Sequence, residues 1–88
     1  MKIITICGSM KFWEDMIKIY TSLSNEGNIV FLPVINGKDK DLLNFIHRRK
    51  IEISDEIFVV NINGYIGDNT KDEISYALEL GKCIKKLL

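Results

Sequence analysis

Two kinds of apolar pattern alternate along the chain. Residues 2–7, "KIITIC", and 57–62, "IFVVNI", are nearly unbroken apolar runs, closed by Gly8 and by an Asn-Gly pair. Continuous runs of this kind mark strands covered on both faces. A third run, "NIVFLP" over 28–33, ends at Pro33, where a proline is tolerated. The terminal "CIKKLL" is a short fourth strand whose lysines suit a sheet edge. Between these runs the period becomes helical. Trp13, Met16, Ile17, Tyr20 and Leu23 share one stripe that ends before Gly27. Leu42, Ile46 and Ile53 mark a second helix over about 39–53, and Ile74, Ala77, Leu78 and Gly81 mark a third. The order βαβαβαβ with right-handed crossovers predicts a single α/β domain over residues 1–88. It is a small doubly wound parallel sheet of the flavodoxin or Rossmann type, with strand order 2-1-3-4.

That topology locates a ligand site before any motif is considered. Open parallel sheets bind ligands beyond the carboxyl ends of their strands, where the strand order reverses. The loops that meet there are "CGSMKF" after the first strand and "NINGYIGDNT" after the third, the latter carrying Asp68 and Asn69. Gly8 allows close approach, Ser9 offers a hydroxyl and Lys11 a charge, together a cradle for a phosphate at a helix N-terminus. Taken alone, the loop reads more simply as a tight turn with Ser9 as an N-cap. Thr70-Lys71-Asp72-Glu73 fits a capping box, which by itself accounts for Glu73. A carboxylate in a first helical turn is also kept ionised by the helix dipole, and this one would open onto the cleft. Tyr76 shares its face and is placed to aim it.

Composition narrows the ligand. Twelve basic side chains balance twelve acidic ones without a long run of either sign, which argues against a nucleic-acid polymer or a membrane surface as partner. The apolar run before Gly8 is too short for a signal peptide and no segment reaches membrane-spanning length, so the expectation is a soluble cytoplasmic protein. Cys7 and Cys83 fall at opposite ends of their strands, out of disulfide reach, and read as reduced core or near-core thiols. With one histidine and no Cys/His cluster in the sequence, no metal site and no cofactor are expected. So short a chain, with Trp13, Met16 and Phe45 on its helices, points to a homo-oligomer, most simply a dimer.

Three segments carry a family resemblance. "ICGSM", "SDEIFVVNI" with its Ser54-Asp55 lead-in, and "EISYALELGK" resemble the nucleoside 2-deoxyribosyltransferase-like family, which includes the deoxynucleoside 5′-monophosphate N-glycosidases. The resemblance runs over essentially the whole chain, although the usual fifth strand is lacking. It implies a hydrolase or transferase acting at the N-glycosidic bond of a nucleoside or nucleoside 5′-monophosphate. Glu73 would be the nucleophile on the anomeric carbon, Tyr76 its support, and Gly8, Ser9, Lys11, Asp68 and Asn69 the ligand contacts. Two departures stand out. The family's helix aspartate, eight positions before the "SD" aspartate, is His47 here, either a general acid in its place or a half-buried helix residue beside Leu43 and Ile51. A second family aspartate falls on Gly67. A non-catalytic nucleotide-binding module of the same fold is the alternative, with a purely structural role third.

Overall fold

The computed structural model describes residues 1–88. Four strands, β1 (Ile3–Gly8), β2 (Ile29–Phe31), β3 (Glu56–Val60) and β4 (Cys83–Lys86), form one parallel sheet in the order β2-β1-β3-β4. Helices α1 (Trp13–Asn25), α2 (Lys40–Ile53) and α3 (Asp68–Glu79) connect them, with single 3-10 turns at Met10–Phe12 and Ile62–Gly64. The expected α/β class, element order and strand order are all present.

Alternation along β1 and β3 explains why their sequences are apolar throughout. On one face Ile6 packs with Met16 of α1 and Val60; on the other Cys7 packs with Ile51 of α2, Ile57, Val59 and Ala77 of α3. Successive side chains point to opposite faces, so a sheet covered on both sides needs an apolar residue at almost every position. Polar exceptions are tied down. The buried Thr5 hydroxyl lies 2.7 Å from Ser54 Oγ, which also meets the Lys50 carbonyl. The Asp55 carboxylate accepts from the Ile3 N–H at 2.8 Å. The Ser54-Asp55 pair thus fastens the end of α2 to the start of β1. Buried Glu56 faces Lys2 at 3.2 Å and Lys85 at 3.7 Å, and the Lys2 ammonium is held above its ordinary range chiefly by hydrogen bonding to Glu56.

The helices depart from their sequence-based stripes in phase and extent. On α2 the buried face carries His47 and Ile51, with Leu43 partly covered, whereas Leu42 is 52% and Ile53 60% exposed. A polar residue occupies the core face, so the apparent apolar stripe is displaced by one residue, about 100°. On α1 Ile19 packs inward while Ile17 and Tyr20 stay exposed, and on α3 Leu78 is exposed. Cys83 is exposed as well, on an edge strand with one neighbour, so only Cys7 is a core thiol. The largest difference is at the start of α3. Gly67 is the N-cap, in extended conformation, and Asp68 already lies in the first turn. Thr70 is therefore a buried helical residue and no capping box forms. Glu73 sits more than a full turn inside the helix.

Candidate functional site

A cleft of about 700 Å³ opens at the carboxyl ends of the strands. The end of β1 and the loop after it supply Gly8, Ser9 and Met10; α2 contributes Lys40 and His47; the N-cap and first turns of α3 contribute Gly67 through Thr70 and Glu73. Gly8 is required by close approach. A Cβ there would lie 3.0 Å from the Val60 carbonyl oxygen of the neighbouring strand. Ser9 both lines the cleft and accepts from the Lys11 N–H at 3.4 Å, so the N-cap and the cleft-lining readings of this residue coexist.

At the floor His47 and Glu73 meet, with fully buried Cys7 just behind them, so that three side chains from three elements converge. Nε2 of His47 lies 3.4 Å from Glu73 Oε1 and 3.5 Å from Cys7 Sγ. The imidazole is 9% exposed and the Glu73 side chain 21%, so the carboxylate is the member of the group that reaches solvent in the cleft. Nδ1 of His47 is buried without a hydrogen-bond partner. Burial first, then the charge and hydrogen bonding of Glu73, pushes the Cys7 thiol well above its ordinary range. Cys7 is consequently a neutral thiol and a poor nucleophile. The Cys/His grouping that sequence spacing did not suggest is assembled by the fold, because β1, α2 and α3 meet at this corner of the sheet.

Two expected site residues, Lys11 and Tyr76, are placed elsewhere. The Lys11 ammonium sits over the Tyr65 ring, 3.5 Å from its centroid, and is not part of the cleft wall; the lysine that lines the cleft is Lys40. Tyr76 does not aim Glu73. Its hydroxyl donates to Glu52 Oε2 on α2, and Arg48 stacks on its ring at 4.6 Å. That bond, followed by the 2.6 Å contact from Arg49, holds the Glu52 carboxyl below its ordinary range, and Glu52 in turn raises the Tyr76 phenol. Spacing of three on a helix put Tyr76 near Glu73, but α2 offers it a better acceptor. Asp68 and Asn69 line the cleft as expected. Gly67 has an ordinary φ of −74° and its Cβ position meets nothing closer than 3.6 Å, so the backbone does not demand glycine there. Sequence reasoning missed Lys40 and the loop after β2, which includes Pro33 and Asn36. The signal available for that loop was "INGK", whose Asn36 takes a left-handed φ of 61°.

Fold and site together describe an open parallel α/β domain with a carboxylate and an imidazole paired at the floor of a cleft. No family model matches the chain, and comparison with curated proteins finds no match. Among solved structures it is similar to a 2-deoxyribosyltransferase from Leishmania mexicana, with a TM-score of 0.71 and 20% identity. The match covers 94% of this chain and 61% of that one. The two proteins share a fold, and this chain spans about three-fifths of the length of its solved counterpart. No helix is long and apolar enough to cross a membrane.

Proposed function

We propose that the cleft binds a nucleoside or nucleoside 5′-monophosphate and that the chain cleaves or transfers its N-glycosidic bond, with Glu73 as nucleophile. The observation that carries this is the position of the Glu73 carboxylate. It is exposed to the cleft, backed by a buried imidazole, and free of any capping duty. In the reaction a Glu73 oxygen bonds to the anomeric carbon as the carbon–nitrogen bond breaks, and the electron pair leaves with the base, which takes up a proton from water in the open cleft. Water or a second base then attacks the same carbon and releases the carboxylate. His47 is a positioning residue in this scheme, holding Oε1 from below at 3.4 Å. Asp68 and Asn69 are the candidates for the sugar hydroxyls, since Gly67 offers no side chain.

Incubation with a panel of nucleosides and 5′-monophosphates, scored for free base and for thermal shift, tests the reading. Base release is the expected result; tight binding without release under any condition favours the non-catalytic module. If the 5′-phosphate is recognised, monophosphates raise the melting temperature more than nucleosides do. Lys40→Ala is expected to erase most of that difference and Lys11→Ala little of it, since Lys40 lines the cleft and Lys11 is stacked on Tyr65. Equal shifts for both ligand classes would remove the phosphate contact.

We also place a second copy of the chain on the outer face of α2. Leu42, Phe45 and Ile53 are more than half exposed and follow one stripe with Arg49, which lies over the Phe45 ring. Met16, in contrast, is wholly buried and belongs to the core. Sedimentation is expected to show a dimer at micromolar concentration that Phe45→Asp dissociates. A wild-type monomer at that concentration would contradict the assignment.

A further inference from the structure

We propose that Cys7, His47 and Glu73 form a binding site for one divalent transition-metal ion of the zinc type, with its open coordination position facing the cleft. Two of the three donor–donor distances already match those such an ion requires. Tetrahedral zinc, with bonds of about 2.05 Å to nitrogen, 2.1 Å to oxygen and 2.3 Å to sulfur, sets its nitrogen about 3.4 Å from the oxygen and about 3.6 Å from the sulfur. The corresponding distances from His47 Nε2 are 3.4 Å to Glu73 Oε1 and 3.5 Å to Cys7 Sγ. All three ligand atoms lie within 4.8 Å of one another, and the partly exposed Glu73 can turn to close the remaining edge.

Chemistry supports the same conclusion. The three groups are a thiol, an imidazole and a carboxylate, each a recognised zinc ligand once the thiol has lost its proton. A thiolate, a carboxylate and a neutral imidazole around a divalent cation sum to zero charge, which suits a site this deeply buried. Binding replaces the Cys7 S–H bond by a sulfur–metal bond and releases that proton to solvent. Three protein ligands and one position open to a cleft is the pattern of an accessible zinc site, not of a closed structural one. The buried Nδ1 of His47 lacks the acceptor that usually supports a metal-bound imidazole, a deficit of about 10–100-fold in affinity. The site is therefore expected to bind more weakly than one whose imidazole is so supported. Resting on the proposed glycosidic reaction, the consequence is inhibition: an ion bound through Glu73 occupies the nucleophile.

The test is made with the metal alone. Equilibrium dialysis of the full chain against zinc is expected to give one ion per chain, removable by EDTA, and cobalt is expected to produce a thiolate-to-metal charge-transfer band. Cys7→Ser should abolish that band, and His47→Ala and Glu73→Gln should each weaken zinc binding at least tenfold. Circular dichroism identifies any variant that fails to fold, and Glu73→Gln, at a partly exposed position, keeps the test available if the core variants do. No bound zinc in the wild type, a cobalt spectrum without the thiolate band, or equal zinc binding by wild type and folded variants would overturn the site. None of these outcomes depends on base release. Zinc inhibition reversed by EDTA in wild type, if base release is observed, supports the consequence; unaltered activity at saturating zinc overturns it.

Discussion

Glu73→Gln is expected to leave the fold and ligand binding nearly unchanged while base release falls by roughly three orders of magnitude or more. The substitution preserves volume and shape. It acts more than a turn inside α3, where the side chain makes no capping bond to lose. What it removes is the ability to form an ester-like bond to the anomeric carbon, since an amide oxygen is far too weak a nucleophile to replace the carboxylate. A residue of purely structural importance would show the reverse pattern, with a lowered melting temperature and turnover reduced only in proportion. Denaturation and single-turnover kinetics on the same preparation separate the two. His47→Asn, which takes the imidazole from beneath the carboxylate, is expected to cost about a hundredfold in the same assay, at the lower end of the range for a group that assists proton or charge placement.

Ile51→Ala is expected to have the largest effect on stability, about 2–5 kcal/mol. Ile51 is fully buried on α2, one turn beyond His47, and fills the space between Cys7, Val59 and Ala77. Truncation leaves a cavity that the sheet cannot collapse into. For an 88-residue chain the total is only about 4–13 kcal/mol at the usual 0.05–0.15 kcal/mol per residue, so the loss is a large share of it. Urea denaturation should show a lowered midpoint with an unchanged slope. A shift within about 0.5 kcal/mol would mean that α2 is not held by this cluster.

The sheet was legible because burial on two faces writes itself into a strand as an unbroken apolar run, and β1 and β3 are such runs. From the sheet order, the cleft at the strand ends followed. Helix phase was less legible. His47 and Ser54 lie on buried surfaces of α2 and its end, and their polarity conceals them from a count of apolar positions. The capping pattern at Thr70 was misleading for a related reason: an N-cap requires extended backbone, and Gly67 supplies it three residues earlier. The resemblance placed His47 and Glu73 in one site, but nothing in the sequence showed that Cys7 joins them. The three are 40 and 26 positions apart along the chain, and only the packing of α2 and α3 on one face of β1 brings their side chains within 4.8 Å.

The Glu73 assignment makes one distinctive molecular prediction, a covalent glycosyl-enzyme, and intact-mass spectrometry after rapid quenching with a 2′-deoxynucleoside 5′-monophosphate detects it directly. The expected spectrum contains a species heavier by one sugar phosphate, absent from Glu73→Gln, with the added mass mapping to the peptide that contains Glu73. Free base released with no covalent species at any quench time, or an adduct mapping to another residue, would contradict Glu73 as the nucleophile.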